Sequence, residues 1–390
     1  MNPSASGWIK KLLKDISTQD LNFKLDEQSF YDALKTCGFI YGSNVAIVHK
    51  LFEVNDLSNE ELCKVNLLLA FYQKHQNRAT EEKFVESVIN FYNLINKSKT
   101  SIFDNLLGKK KSHALLEDII NKRVHIDDNI FSKNFNYFIT NALLYIDVLA
   151  YDVFLKEKNI SEAYLQKLEA VIETLAIEVF ESKKKKSTYD NSLIRLFEAS
   201  KRYNNFAAFK YDDIIKNSNH PSEKQYIIDI ACMTSWSDKV IEPNEQKFLL
   251  RLGYDLQIDA NIINKSIDDV NTFYDINHNN IALLSSKNLV QNFYDNSSKM
   301  VIKLISRNSK RLSKELKESK ELVKLISKST KKDLSKEEQK KMQEQLLDIF
   351  KTIPSLAIFM LPGGAILLPL FVKFIPKLLP SAFDDNRIEE

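Results

Sequence analysis

Three carboxylates, Asp238, Glu242 and Glu245, stand within eight residues in the stretch SDKVIEPNEQKFLL. Oxygen ligands at that density suit a hard divalent cation such as calcium or magnesium. The stretch lacks the D-x-[DN]-x-[DN]-G order of an EF-hand loop. Glu242 and Glu245 also suit a second role, complementing the positive end of the helix that Pro243 opens. The six histidines include no pair at ligand spacing. Cys37, Cys63 and Cys232 are too dispersed for a zinc site or a disulfide framework, which fits a reducing compartment. Gly108-Lys109-Lys110-Lys111-Ser112 ends like a phosphate loop but lacks its first glycine and a preceding strand. Lys183–Lys186 reads as a solvated loop. With no nucleophile–base pair we expect no enzyme; with no basic–aromatic alternation the chain carries no direct nucleic-acid motif, and no small-molecule substrate is indicated.

The chemistry of Leu346–Phe383 is that of solvent preference. Thr352 to Val372 reads TIPSLAIFMLPGGAILLPLFV, without a charge. As one helix it would run about 31 Å, the thickness of a bilayer's hydrocarbon core. Pro354, Pro362, Pro369, Pro376 and Pro380 lie in this region with Gly363 and Gly364, a combination better tolerated in lipid than in a soluble helix. The segment is therefore expected to enter a membrane, as a kinked span or as a hairpin turning at Pro362-Gly363-Gly364, the alternative being a buried hairpin in a soluble helical core. The Gly363-Gly364 face would then suit helix–helix association and a homo-oligomer.

Charge is distributed to match. The 390 residues carry a net charge of +3, but residues 299–351 hold 16 Lys and Arg against 8 Asp and Glu. Anionic lipid attracts such a segment, with Lys340, Lys341, Lys351, Lys373 and Lys377 nearest the expected span. The lysine bias places the N-terminal bulk in the cytoplasm. No cleavable leader is expected from residues 1–20.

From about Lys314 onward the chain resembles the Letm family, the leucine-zipper/EF-hand-containing transmembrane proteins. The matching runs are KELVKLISKS, DLSKEEQKKMQEQLLDIFKTIPSLAIFMLP and LLPLFVKFIPKLLPSAF. The spaced prolines ending in Leu-Pro-Ser-Ala-Phe are the specific part, and the chain resembles the bacterial inner-membrane relatives of the type named Letm-related biofilm-associated proteins. The resemblance implies membrane insertion, ribosome association at the membrane, and cation homeostasis involving potassium or calcium and protons. Letm proteins typically place an acidic residue just after the second proline, where this sequence has Ala365. Few residues follow Val372, so the ribosome-binding domain that follows the span in the family is expected to be essentially missing.

The elements that carry these features read as helices throughout. Seven glycines and eight prolines, with none between Pro3 and Pro221, are too few breakers for a strand-rich fold. We expect an all-α chain of helical bundles: residues 1–130, then 131–284, basic linker helices over 285–345, the membrane segment 346–383 and a tail, 384–390. Ile9, Leu12, Leu13 and Ile16 share one helical face, for a membrane surface or for closing over the core. Ser58/Glu61 and Ser335/Glu338 are capping boxes. An apolar helix is expected over Phe138–Leu155 and another over Ile227–Trp236, with Ile146-Asp147 and Ile228-Asp229 hinting at a duplication. The unit around Asp238, Ile241, Glu245 and Phe248-Leu249 resembles the tellurite-resistance TerB-like helical domain. That likeness implies the alternative function of a divalent-metal or envelope-stress sensor tethered to the membrane. Val301, Ile305, Leu312, Leu316, Val323 and Ile326 form a coiled-coil-like stripe.

Overall fold

The chain is all-α, as its shortage of breakers predicts. The computed structural model describes residues 2–18, 26–49, 57–78, 80–95, 112–124, 143–201, 206, 208–236, 241–277, 289–360 and 364–384. Among these there are eighteen α-helices, two 3-10 segments and no strand. The phosphate-loop-like residues 108–111 lie outside the described residues.

Helix α1 (Trp8–Thr18) buries Trp8, Ile9, Leu12 and Ile16. It packs on α5 (Ser112–Val124), so its apolar face closes over the core rather than lying on a membrane. Buried Glu117 of α5 accepts the N–H groups of Gly7 (3.0 Å) and Ile9 (3.1 Å), placing a carboxylate at the donor-rich end of α1. Helix α3 (Asn59–Gln76) opens with the expected capping box: Glu61 donates its N–H to Ser58 Oγ at 3.3 Å and accepts that of Ser58 at 2.9 Å. It packs on α5, on α4 (Phe84–Ile95) and on α6 (Leu144–Glu157). Between them Phe71 meets Tyr151 edge-on at 5.1 Å, and Phe91 meets Tyr92 and Tyr151.

Helix α7 (Glu162–Ser182) is the longest element and touches α6, α8 (Thr188–Lys201), α9 (Tyr211–Asn217), α10 (Pro221–Ser235) and α11 (Pro243–Asp255). Helix α10 starts at Pro221, six residues before the apolar run that predicts it, because proline costs nothing in a first turn that has no donor to lose. Helix α12 (Ala260–Asn277) covers α10 and α11 and reaches back to α2 (Glu27–Thr36). Lys183, read as part of a solvated loop, is buried and pairs with Asp190 at 3.2 Å, whereas Lys184–Lys186 are exposed.

Two aspartates, Asp147 in the first turn of α6 and Asp229 in the middle of α10, anchor this assembly, and both are fully buried. Asp147 accepts a two-pronged bond from Arg123 of α5 (2.6 and 2.9 Å) and the hydroxyl of Tyr92 of α4 (2.9 Å). Asp229 accepts the hydroxyl of Tyr31 (2.8 Å), the ammonium of Lys35 (3.4 Å) and the amide of Gln225 (3.1 Å). Lys35 also pairs with Asp269 of α12. In each centre a tyrosine hydroxyl and a cation meet the buried aspartate, which is how a buried charge is made tolerable. Burial, then the neighbouring carboxylate, raises the Tyr31 and Tyr92 phenols well above their ordinary range, so both remain donors.

The stripe from Val301 to Ile326 is not one long helix. It divides into α13 (Leu289–Arg307), α14 (Ser309–Glu318) and α15 (Lys320–Ser329). At the first break the Asn308 amide donates to the Leu304 carbonyl (2.7 Å); at the second Ser319 leaves helical geometry at φ −112°, ψ 63°. All six stripe residues are buried within this chain, so the seam faces its own core.

Replacing Asp147 with Ala strands the Arg123 guanidinium and should cost about 3–5 kcal/mol in urea unfolding. Tyr92→Phe should cost about 1 kcal/mol. Equal losses for the two variants would contradict the ion-pair anchor. All three cysteines are buried and free, and burial pushes the Cys37 thiol up to about 12. Ellman's reagent at pH 8 should therefore label none of them until the chain is unfolded.

Candidate functional site

Helix α16 (Lys336–Thr352) starts at the second capping box: Ser335 donates its N–H to Glu338 (3.0 Å), and Glu338 donates to Ser335 Oγ (3.2 Å). It lies antiparallel-fashion beside α15 across the short turn 330–335. The two are tied by Lys328–Glu338, by Lys341–Glu321 (2.5 Å) and by Gln345 donating to Glu321 (3.1 Å). The hydrogen bond from Lys328 holds the Glu338 carboxyl below its ordinary value, and that from Lys341 does the same for Glu321.

Helix α16 ends at Thr352, and Ile353 turns extended (φ −117°, ψ 101°), as a residue before proline prefers. The apolar segment then breaks into a 3-10 turn at Pro354–Met360, a second at Gly364–Leu367, α17 (Leu368–Leu378) and α18 (Ser381–Asp384). Pro369 sits in the first turn of α17, Pro376 lies inside it, and Pro380 follows its end. Pro362 and Gly363 lie outside the described residues, and Gly364 opens the second 3-10 turn.

The expected membrane segment is not one continuous helix. No helix among the described residues is long and apolar enough to cross a membrane. The eleven residues of α17 reach about 16 Å, half the hydrocarbon thickness. The apolar side chains are instead buried against the chain's own helices. Phe359 stacks on Phe350 of α16 at 4.8 Å, and Phe371 of α17 meets both rings at 5.1 Å. Ile353, Leu356, Leu368 and Ile375 fill in around this triad. Helix α17 packs along α13, the second 3-10 turn sits on α8, and Ser355 donates to Asn308 at 3.1 Å.

The five lysines assigned to lipid divide into two groups. Lys341 pairs with Glu321, Lys351 with Asp348 (2.9 Å), and Lys340 approaches Glu344 (4.0 Å). Lys373 and Lys377, one turn apart, line a cleft of about 410 Å³ between α8, α15, α16 and α17. Lys332 faces them from the turn after α15, and Leu334, Met342, Pro369 and Val372 supply apolar wall. Lys373 donates to the Tyr294 hydroxyl at 2.9 Å and lies over the Tyr294 and Phe374 rings. The spacing Pro369-Lys373-Lys377 marks one face of the cleft; nothing in the sequence pairs it with Lys332 or Ala199.

The acidic trio does not assemble among the described residues. Asp238 lies outside them, and Glu245 is buried and accepts the Glu242 N–H at 2.8 Å, closing the first turn of α11. Among the described residues no group of three or more His, Cys, Asp or Glu is placed to hold a metal ion.

The geometry of this C-terminal unit coincides with what comparison finds. Residues 334–390 match the family model described as LETM1-like, RBD, so the C-terminal region is Letm-like. Over 55 residues the chain is 42% identical to the mitochondrial proton/calcium exchanger protein of Drosophila melanogaster; the match covers 14% of this chain and 5% of that protein. No solved structure matches the chain. The match bearing the RBD designation falls on the proline-rich segment itself.

Phe371→Ala removes the shared ring of the triad and should cost about 3–5 kcal/mol. Leu367→Arg should likewise lower the melting temperature, since it puts an unpaired charge where Leu367 is buried. Melting curves unchanged by both substitutions would mean that the segment is not packed in this core.

Proposed function

We propose that this chain is a non-enzymatic Letm-type protein whose C-terminal unit associates with the ribosome. The observation that carries this reading is the coincidence of the RBD-designated match with a basic surface. Arg307, Lys310, Arg311, Lys317, Lys320 and Lys324 are exposed along α13–α15, immediately before the matched residues. Ribosomal RNA is a polyanion, and exposed lysine and arginine engage its phosphates without a base-reading motif. The same surface would hold the protein against anionic lipid at the inner membrane of a bacterium without a spanning helix.

A second reading, cation homeostasis, is favoured by the name of the Drosophila relative, a proton/calcium exchanger. Residues 352–372 contain no ionisable side chain, so we assign cation handling to what this protein recruits, not to a path through that segment. Cation-driven proton flux in liposomes reconstituted with this chain alone would overturn that assignment. The TerB-like sensor alternative rests on Asp238, Glu242 and Glu245; calcium or magnesium should then raise the melting temperature of the full chain.

Reversal of three exposed charges, Lys310→Glu, Arg311→Glu and Lys317→Glu, should weaken co-sedimentation with ribosomes roughly tenfold or more and flatten its salt dependence. The same reversal of Lys10, Lys11 and Lys14 on α1 should leave it unchanged. Loss in both variants, or in neither, would count against docking through the C-terminal unit.

A further inference from the structure

We propose that the cleft between α8, α15, α16 and α17 binds a small phosphate-bearing anion, either free or as the headgroup of an anionic lipid. Three ammonium groups, those of Lys332, Lys373 and Lys377, line a space of about 410 Å³ in which Asp333 is the one lining carboxylate. Among the described residues neither Lys332 nor Lys377 forms an ion pair. Lys373 is oriented by a neutral partner, the Tyr294 hydroxyl at 2.9 Å, and by two aromatic rings at 5.5 and 5.6 Å. It is thereby held in place without being neutralised. The neighbouring lysines Lys328, Lys341 and Lys351 each have a carboxylate within ion-pair distance, whereas Lys332 acts on Glu338 only at longer range, so the cleft gathers cations that the fold compensates less fully.

Like charges brought together around one cavity repel one another, and a multivalent anion between them removes that cost. The other lining groups narrow the ligand. The Ser329 and Thr330 hydroxyls donate to the Ile326 and Ser327 carbonyls, which leaves their oxygens to accept from ligand hydroxyls. Leu334, Met342 and Val372 offer apolar wall on the opposite side. A phosphate joined to a short hydroxylated or acyl-bearing group, such as glycerol phosphate, matches this arrangement. The volume lies within the range of about 300–1,000 Å³ usual for small-molecule sites. A ligand there would bridge α17 to the α15–α16 pair and to Ala199 of α8, fastening the Letm-like unit to the helices before it.

The site is independent of the ribosome reading and stands without it. The test uses the full chain, glycerol 3-phosphate in calorimetry, and vesicles of phosphatidylglycerol or phosphatidylcholine in flotation. The paired variant Lys373→Gln/Lys377→Gln removes two cleft cations; Lys340→Gln/Lys351→Gln makes the same charge change outside it. Lys332→Gln approaches the cleft from a different element, should either pair melt early. With a free ligand, glycerol 3-phosphate binds the wild type and the control pair alike, and at least tenfold more weakly the cleft variants. With a lipid ligand, phosphatidylglycerol vesicles float the wild type and control, phosphatidylcholine floats neither, and the cleft variants float markedly less than the control pair. No binding of either probe to the wild type, or equal loss in cleft and control variants, overturns the proposal. Loss of ribosome co-sedimentation with phosphate binding intact would bear on the ribosome reading alone.

Discussion

The three-ring contact of Phe350, Phe359 and Phe371 is what allows the C-terminal third to exist as folded protein. These rings sit on α16, the first 3-10 turn and α17, and packing them forces the intervening chain to double back. Lipid and protein make the same demand on such a stretch. In either setting the freed backbone groups must be met, in a bilayer by neighbouring helices and side chains, in a protein core by turns and packed helices. Prolines at 354, 362, 369 and 376 remove donors about once every seven or eight residues, and the chain answers with short pieces packed on α8, α13 and α16.

The remainder of the chain solves a related problem for charge. Asp147 and Asp229 lie buried on α6 and α10, the two helices that flank α7. Their partners come from helices far away in sequence, Tyr92 and Arg123 in one case and Tyr31 and Lys35 in the other. Removing any partner leaves a charge in the core, so these centres specify which helices meet as well as how firmly. The N-terminal helix α2 is thereby fastened to α10 and α12, across a separation of about two hundred residues. The exposed lysines of α13–α16 then belong to a folded support, not to a flexible linker, and the basic cleft has fixed walls.

Much of this was legible in residue order alone. Scarcity of glycine and proline specified helices; Ser58/Glu61, Pro243 and Ser335/Glu338 marked where three of them start, because capping is settled within one turn. The Letm-like character of the C-terminal region was legible in the proline spacing, now matched over 334–390. The burial of Lys183 and the breaks at Asn308 and Ser319 were not legible, since each depends on a neighbour supplied from elsewhere in the fold. Nor was the cleft: Lys373 and Lys377 are neighbours by helical register, but Lys332 joins them only because α15 and α17 meet.

Composition and local spacing by themselves determined that the chain is helical, where several helices begin, and that one segment near its end avoids water. They could not determine which apolar environment that segment occupies. Transfer from water favours lipid and protein interior alike, because the gain scales with the apolar area removed and not with what covers it. Only the tertiary structure placed α8 and α13 against the segment that Pro354 and the following prolines divide into pieces, because those neighbours come from elsewhere in the chain.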